Sequence, residues 1–208
     1  LELDVTGIAH GGVAVARHDG RVVFVADAIP GERVRARVSD DRKRSFWRAE
    51  TVEVLEASPD RVPHVWAEAA LERDPADRPG GAELGHIALP RQRSLKAEVL
   101  ADSLRRFGGI DCAVEVEAAP GDDEAGGLGW RTRVRLHVDA GGRPGPYAAR
   151  SHRVIPVAGL PLAADAIAGS GVLEERFAGI ETVDVIAVGR GDVGGGAAAE
   201  DGGRLVVG

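Results

Sequence analysis

The sequence predicts an α+β protein in which a small β-barrel precedes a mixed α/β domain with a largely antiparallel sheet. Three observations lead to this prediction. Residues 1–57 read as short apolar strands separated by turn residues such as HDG and PGE. Residues 90–107 carry apolar side chains at helical spacing. Residues 131–138, RTRVRLHV, alternate between basic and mostly apolar side chains, as a half-buried strand does.

A change in composition marks the best domain boundary. After Ser58 the chain is rich in Ala, Glu, Asp and Pro through about Pro79, which is typical of an irregular connector. We therefore expect a barrel over residues 1–57, a connector over residues 58–89 and the mixed domain over residues 90–208.

The mixed domain should begin with a helix from Pro90 to Phe107, because a proline lies at its start and Gly108-Gly109 follows its end. The apolar side of this helix consists of Leu95, Val99, Leu100, Leu104 and Phe107. Further elements are expected as follows: a strand from Asp111, an acidic loop at residues 120–129, a helix over Pro161–Phe177, and strands over residues 182–188 and 204–207.

The net charge of −7 argues at first sight against a nucleic-acid partner, since binding to a polyanion relies on Lys and Arg. The charges are segregated, however. Residues 33–48, 91–106 and 131–153 contain 18 of the 26 basic residues but 5 of the 33 acidic residues. This distribution indicates a cationic face on an acidic body, although charge runs also occur on ordinary solvated surfaces. In residues 33–38, RVRARV, the alternation puts three arginines on one face and predicts a cationic barrel wall.

Other features of the composition narrow the class of protein. No apolar run approaches the roughly 20 residues that span a bilayer, and no signal-peptide pattern begins the chain, so we expect a cytoplasmic protein without a membrane partner. We also expect a monomer. The single cysteine, Cys112, excludes an internal disulfide and a cysteine-built metal cluster, because each needs at least two thiols. The chain contains no Met, so we expect Leu1 to lie within a longer protein.

A glycine motif near the end resembles a nucleotide fingerprint. Gly189, Gly191 and Gly194 satisfy G-x-G-x-x-G after the apolar strand VDVIAV. In a true fingerprint the last glycine opens a helix whose N-terminus faces the ligand. Here GGGAAAEDGG leads to another short strand, which favours a hairpin loop without a bound cofactor.

Two basic clusters are candidate RNA-binding sites. In the first, alternation along one strand places four side chains on the same sheet face, and three more lie nearby after a turn. Arginines there offer planar donors to phosphates and flat surfaces to unpaired bases. There are two alternatives: these arginines pair with carboxylates, or one of the histidines acts as a general base. The cluster consists of Arg131, Arg133, Arg135, His137, Arg150, Ser151 and His152.

The second cluster is the barrel loop DRKRSFWR, in which basic residues flank two aromatic rings. Such interleaving suits a surface that stacks bases and follows a phosphate backbone. Alternatively, Phe46 and Trp47 plug the end of the barrel. The candidate RNA-binding residues are Arg42, Lys43, Arg44, Trp47 and Arg48.

Several motifs of the chain, taken in their order along the sequence, resemble those of a known family. The N-terminal part is similar to a TRAM domain, an OB-like RNA-binding barrel, and nearly the whole chain resembles the front part of the TrmA-like RNA uracil-5 (5-methyluridine) methyltransferases. The motifs that carry the resemblance are GIAHGGVAVAR, VADAIPGERVRARV, SPDRVPH, PGGAELGHI, Gln92 and Lys96 in a helix ending LRRFGGI, GWRTRVRLHV and SHRVIPVAGLPL.

This sequence departs from the family pattern in two ways. Many members bind a four-iron cluster through cysteines, but the matching positions here include Pro79, Ala82 and Leu160, so no iron–sulfur cluster is expected and the connector should be held by packing. The catalytic methyltransferase domain, with its cysteine nucleophile and acidic base, would begin beyond Gly208. We therefore expect no catalytic residue and no cofactor in this chain. In the family, the helix at residues 90–107 belongs with that domain, so its apolar face should be partly uncovered.

The resemblance implies an RNA-binding portion of an enzyme that methylates uridine C5 in ribosomal or transfer RNA, with S-adenosylmethionine as cofactor of the whole protein. The partners would then be RNA and the methyltransferase domain of the same polypeptide. Two other functions stay open from the sequence. One is a free-standing RNA-binding module of the translation apparatus, and the other is a protein-interaction domain whose basic face meets an acidic partner.

Overall fold

The computed structural model of the chain describes residues 1–188 and the backbone of residues 204–207. Its contacts divide the chain into two compact units, Leu1–Asp123 (the barrel unit) and Glu124–Gly208 (the second unit). The predicted boundaries after residues 57 and 89 stay predictions, because a division by contacts shows which residues pack together and does not test where domains begin and end. The glycine motif at Gly189, Gly191 and Gly194 lies outside the described residues.

Five strands form a closed barrel at the start of the chain, as the strand pattern predicted. The strands are β1 (Glu2–Ile8), β2 (Ala14–His18), β3 (Arg21–Ala26), β4 (Arg33–Asp40) and β5 (Phe46–Glu56). Their order is β1-β2-β3-β5-β4, and β4 pairs back onto β1. The pair β3–β5 is parallel, and the others are antiparallel. Asp19 and Gly20 join β2 to β3 with φ of 49° and 77°, as a tight hairpin turn requires.

The barrel interior is filled by small apolar side chains. Alternate residues of each strand point inward, because successive side chains of a strand lie on opposite faces. Ala and Val predominate among them, which suits the narrow interior of a five-stranded barrel. The buried cluster consists of Leu3, Val5, Ala14, Ala16, Val23, Val25, Ala28, Val34, Ala36 and Ala49.

The segment after the barrel is irregular, with two 3₁₀ turns at Ala67–Ala69 and Pro75–Asp77. Arg78, which is buried, fixes it to the barrel by donating to Asp27 Oδ2 at 2.7 Å and to the Thr51 carbonyl at 3.1 Å. Hydrogen bonds of a buried charged side chain therefore hold this segment, in addition to the packing that the sequence analysis expected, since Trp66, Ala69 and Ala82 are also buried.

A second buried ion pair joins the same segment to the β3–β4 loop. Glu32 is 2% exposed and accepts hydrogen bonds from Arg61 Nε at 2.6 Å and Nη2 at 2.7 Å. The backbone N–H groups of Ile29 and Ser58 donate to the same carboxylate. Burial raises the pKa of Glu32, but these donors outweigh it and hold the pKa below its usual value.

The predicted helix over Pro90–Phe107 is confirmed as α1 (Leu89–Ser103), which continues as one π turn over Leu104–Gly108. Gly109 ends it in the left-handed region, with φ of 63°.

The apolar side of α1 is only partly covered. Leu95 is fully buried with Ile29 and Ile87, whereas Leu100 and Phe107 are exposed. None of the helices among the described residues is long and apolar enough to cross a membrane.

Two expected elements are wrong. Residues 111–119 do not form a strand, because no strand in the described part of the chain pairs with them. The helix expected over Pro161–Phe177 is reduced to α2 (Asp165–Ala168). Gly169 and Gly171, the latter with φ of 75°, follow it and are unfavourable in a continuing helix. Residues 111–119 have the alternation of a strand but lack a pairing strand among the described residues. Residues 161–177 have helical spacing, but the glycines end the helix early.

The second unit is built on an antiparallel sheet in the order β7-β6-β8-β9. Its strands are β6 (Arg133–Val138), β7 (Pro144–Gly145), β8 (Thr182–Val188) and β9 (Arg204–Val207). The predicted strands at residues 182–188 and 204–207 are thus confirmed. Among the residues described for this unit, the one helix is four residues long, so a mixed α/β domain is not confirmed.

Candidate nucleic-acid interface

Alternation along β6 places Arg133, Arg135 and His137 on one face of the sheet, while Leu136 is buried on the other. Arg135 lies directly opposite Asp184 of β8 in the ladder. We call this surface, consisting of Arg133, Arg135, His137 and Asp184, the β6 face.

Both arginines of the β6 face bind the one carboxylate opposite them. Arg135 donates from Nε to Asp184 Oδ1 at 3.0 Å and from Nη2 to Oδ2 at 2.6 Å, and Arg133 Nη2 donates to Oδ2 at 3.1 Å. These hydrogen bonds, Arg135 first, lower the pKa of Asp184 to about 2. The carboxylate is therefore ionised at neutral pH, and two guanidinium groups share one negative charge. The β6 face keeps a surplus positive charge, although pairing with a carboxylate occurs as the alternative interpretation anticipated.

Arg131 lies just before β6 and is fixed by its backbone. Its N–H donates to the Leu162 carbonyl at 2.8 Å, and its carbonyl accepts from the Ala164 N–H at 2.9 Å. The guanidinium carbon is 4.9 Å from the ring centroid of Trp130, whose ring is exposed. The sequence analysis did not include Trp130 among the site residues, and its position directly before Arg131 was the available signal.

Three rings meet at the end of the β6 face. His137 stacks on Tyr147 with ring centroids 3.5 Å apart and an interplanar angle of 10°. His152 meets the same Tyr147 ring edge-on at 5.3 Å. We call His137, Tyr147 and His152 the ring stack. Tyr147 was missed as a site residue, because it does not lie in either basic motif.

A tight turn brings His152 back to the ring stack. The N–H of Ala148 donates to the Arg153 carbonyl, and the Ser151 N–H donates to the Ala148 carbonyl. Arg150 adopts φ of 56° at the tip, and both Arg150 and Ser151 are exposed. The structure thus brings His137 and His152 together, as the sequence analysis expected for the two segments. Burial, followed by Arg135 and His152, lowers the pKa of His137 and favours its neutral form.

The basic residues of the barrel loop differ in their contacts. Arg42 binds Asp40 through two hydrogen bonds, Nε–Oδ1 at 2.9 Å and Nη2–Oδ2 at 2.8 Å. These bonds hold the pKa of the Asp40 carboxyl well below its usual range. Lys43 and Arg44 are exposed at the tip of the loop. The positive charge of Arg42 is therefore neutralised, and its role in RNA binding stays a prediction.

The aromatic residues of this loop point to opposite sides of β5. Trp47 pairs in register with Val23, packs against the barrel core and lies under the Arg21 guanidinium at 4.3 Å. This position supports the plug interpretation for Trp47. Phe46 lies on the outer side and meets Phe24 edge-on at 5.3 Å.

Arg48 covers this outer pair of rings. Its guanidinium carbon lies 5.6 Å from the Phe46 centroid and 5.8 Å from the Phe24 centroid. Arg48 and the two phenylalanines therefore form an aromatic and basic surface on the outside of the barrel, next to the loop tip.

The predicted cationic wall of β4 is wrong. Arg33 binds Glu2 at 2.9 Å and lies 3.6 Å from Glu56, Arg35 binds Glu2 and Glu53, and Arg37 binds Asp74 at 3.0 Å. The arginines do share one face, but the carboxylates that meet them outnumber them. The alternation predicted the face and could not predict its charge, because those carboxylates come from β1, β5 and the segment after the barrel.

No group of three or more His, Cys, Asp or Glu side chains is placed to hold a metal ion within the part of the chain that the structure describes.

Comparison with known proteins shows what the chain is similar to. Residues 1–52 match the TRAM domain. An uncharacterized RNA methyltransferase of Bifidobacterium longum is 42% identical over 164 residues, 78% of this chain and 38% of that protein. An uncharacterized RNA methyltransferase of Streptomyces avermitilis is 39% identical over 195 residues, 89% of this chain and 44% of that protein.

A third relative has a more specific name. The 23S rRNA (uracil(1939)-C(5))-methyltransferase of Halomonas elongata is 39% identical over 166 residues, 77% of this chain and 32% of that protein. The chain spans about two fifths of the length of the first two relatives, 38% and 44%. Residues 1–52 are therefore a TRAM domain, and the chain is a relative of proteins named as RNA methyltransferases.

Proposed function

We propose that this chain is the RNA-binding portion of an S-adenosylmethionine-dependent RNA uracil-5 methyltransferase of the cytoplasm. It would act as a monomer and position ribosomal or transfer RNA, while a methyltransferase domain elsewhere in the same polypeptide modifies C5 of a uridine. The single observation that carries the RNA-binding part is the β6 face, where Arg133 and Arg135 share one carboxylate beside the ring stack.

The β6 face combines the two chemistries that unpaired RNA requires. A surplus guanidinium charge attracts the phosphate backbone, and planar donors bind it with defined geometry. The ring stack lies at the end of the same strand, with Arg150 and Ser151 exposed on the turn beside it. Aromatic and imidazole rings receive unstacked bases in single-stranded RNA. The TRAM barrel would add Lys43, Arg44 and Arg48 as a second contact.

We propose that the cofactor chemistry of the whole protein lies outside the described residues. Among them, no glycine-rich loop leads from a strand into a helix, which is one way in which proteins bind nucleotide-like cofactors. Pro79, Ala82 and Leu160 have no thiolate for an iron–sulfur cluster. We therefore assign no step of methyl transfer to these residues.

The RNA-binding part is tested by the salt dependence of affinity. The chain should bind single-stranded or stem-loop RNA with an affinity that falls steeply as salt rises, because released counterions drive binding. Replacing Arg131 and Arg133 with Ala should flatten the log–log slope by about one to two units, at roughly 0.7 per lost phosphate contact. An unchanged affinity and slope in this double variant would refute the arginine strand as an RNA surface.

The enzymatic part needs the whole gene product. Incubated with labelled S-adenosylmethionine and unmodified ribosomal and transfer RNA transcripts, it should yield labelled 5-methyluridine in one of the two. RNA binding without any labelled 5-methyluridine would instead support a free-standing RNA-binding module.

A further inference from the structure

A cavity of about 290 Å³ lies in the barrel unit, beside the irregular segment after the barrel. Its apolar walls include Val62, Ala69, Ala70 and Leu71. Pro63 and Glu72, which are exposed, also line it, so it opens at the surface. The volume is about ten times the ~30 Å³ that one water takes up in the liquid, which leaves room for a planar heterocycle. We call it the histidine cavity, because His64 and His86 also line it.

His86 has unused hydrogen-bonding capacity in this cavity. The ring is 3% exposed, and neither Nδ1 nor Nε2 has a hydrogen-bond partner of good geometry among the described residues. The Ala28 backbone lies close enough to oppose the lowering of the His86 pKa, but it does not form a well-aligned hydrogen bond with the ring. Burial, followed by Arg61, lowers the pKa of His86 to about 4, so the ring is neutral at neutral pH. A neutral imidazole carries one donor and one acceptor. Leaving both unsatisfied is costly, and a ligand that pairs with them would offset that cost.

His64 provides a fixed flat surface next to His86. The two rings are stacked with centroids 6.2 Å apart and an interplanar angle of 23°. His64 Nδ1 accepts a hydrogen bond from the Trp66 N–H at 2.9 Å. At Gly85, a Cβ atom would lie 2.5 Å from Cε1 of the His64 ring, so glycine is required for this close approach. The imidazole is therefore held in place without a ligand.

The charges around the histidine cavity exclude simple ions. The positive charge of Arg61 is paired with buried Glu32, and the Asp27 carboxylate is paired with Arg78. Glu72 adds one exposed carboxylate to the walls. A phosphate would meet this negative surplus. A divalent cation would find no set of three ligands within the described residues. A neutral, planar, polar ligand remains.

We propose that the histidine cavity receives an unstacked base of a bound RNA, which lies against the imidazoles and forms hydrogen bonds with His86. Unpaired bases are recognised in this way, by stacking on a ring and by hydrogen bonds to their edges. The identity of the ligand as RNA rests on the proposed function. The existence of the cavity, the unsatisfied His86 imidazole and the preference for a neutral ligand are independent of the proposed function.

The test uses isotopically labelled 208-residue chain and free nucleosides, uridine and adenosine, as probes. Adding either nucleoside should shift the NMR signals of the His64 and His86 rings and of the Ala70 methyl group. Ala70→Phe should abolish the ring shifts by filling the cavity from its half-buried wall, whereas the same change at exposed Ala67 should leave them intact. His86→Phe, if folded, should abolish the shifts at His64.

RNA binding then separates this inference from the proposed function. Ala70→Phe should weaken binding of single-stranded RNA by about tenfold, as loss of one stacked base does, with the salt slope unchanged. Ring signals that do not move with nucleoside, that still move in Ala70→Phe, or that move equally with inorganic phosphate would overturn the inference. If the nucleosides fail while the arginine variants still flatten the salt slope, the proposed function stands and the base pocket does not.

Discussion

Two strands of this molecule share one sequence pattern and differ in what the pattern produces. In β4 and in β6, arginines alternate with mainly apolar residues, and the apolar side chains fill a core. The arginines of β4 meet four carboxylates, Glu2, Glu53, Glu56 and Asp74. Those of β6, Arg133 and Arg135, meet one carboxylate among the described residues, that of Asp184. The β4 wall is thus neutralised, whereas the β6 face keeps surplus positive charge.

The comparison teaches that a strand's own sequence determines which side chains share a face, while neighbouring strands determine the charge of that face. The β4 partners lie on β1, β5 and the segment after the barrel. The β6 arginines face one acidic residue on β8 and no carboxylate from β7, which is the dipeptide Pro144–Gly145. Composition alone could not separate a neutral wall from a binding face.

The largest expected effect is a loss of stability when a buried ion pair, rather than an exposed one, is broken. Glu32→Gln keeps the shape of this buried side chain but leaves half-buried Arg61 without its charged partner, which should destabilise the chain by about 3–5 kcal/mol. Urea unfolding followed by circular dichroism measures the change. Glu53→Gln, which breaks an exposed pair of the β4 wall, is the control and should have little effect. Equal losses in the two variants would show that burial does not distinguish these pairs.

The second effect concerns the two rings of the barrel loop. Trp47→Ala removes a ring packed on the barrel core and should lower the free energy of unfolding by about 2–3 kcal/mol, below the range for a fully buried ring. Phe46→Ala, on the outer side, should cost less. If Trp47→Ala instead leaves stability intact and lowers RNA affinity by roughly 1–3 kcal/mol with the salt slope unchanged, Trp47 stacks on a base.

The third effect is a pH dependence that the barrel unit should show. The folded pKa of His86 is about 4, below the value of about 6.5 in an unfolded chain. The unfolded state therefore binds more protons between these values, and stability falls as pH drops through this window, by at most about 1.4 kcal/mol per pH unit for one histidine. His64, whose pKa is also lowered by burial, acts in the same direction.

Urea unfolding at several pH values between 7 and 4.5 checks this expectation. His86→Phe should reduce the slope of stability against pH without reversing it, because His64 remains. Stability that rises on acidification over this window would contradict a neutral, buried His86.

The smallest effect tests the shared carboxylate of the β6 face. Asp184→Asn removes the negative charge between Arg133 and Arg135, so RNA should bind severalfold more tightly, with a salt slope steeper by about 0.7 on single strands. Glu53→Gln removes one charge from the β4 wall in the same manner and should leave RNA affinity unchanged. Fluorescence anisotropy with labelled single-stranded RNA measures both variants. Weaker binding by Asp184→Asn would mean that Asp184 organises the arginines rather than competing with the phosphates.

Sequence patterns predicted local structure well where one segment determines it. The five barrel strands, the helix that begins near Pro90, and the shared face of Arg133, Arg135 and His137 follow from periodicity and turn residues. Residues 111–119 have a strand pattern, but no strand in the described ranges pairs with them, and α2 ends at glycines within an otherwise helical pattern. The first failure arises because the pairing partner of a strand lies elsewhere in the chain, and the second arises because glycines interrupt the helical pattern.

Site residues that come from separate segments could not be predicted from the sequence either. Tyr147 could not be assigned to the ring stack, because it joins two histidines from separate segments. His86 and His64 lie 22 positions apart and gave no motif. Their common cavity depends on Gly85, Arg61 and the buried Glu32, whose placement only the fold reveals.

The central claim is that the β6 face, and not the β4 wall, binds RNA. Two matched double variants test it, Arg133→Ala with Arg135→Ala and Arg33→Ala with Arg35→Ala, each compared with the unmodified chain in its salt-dependent affinity for one single-stranded RNA. We predict that the β6 pair weakens binding and flattens the log–log slope by about one to two units, at roughly 0.7 per phosphate contact, while the β4 pair changes neither. Loss of affinity and slope in the β4 pair, with none in the β6 pair, would contradict the claim.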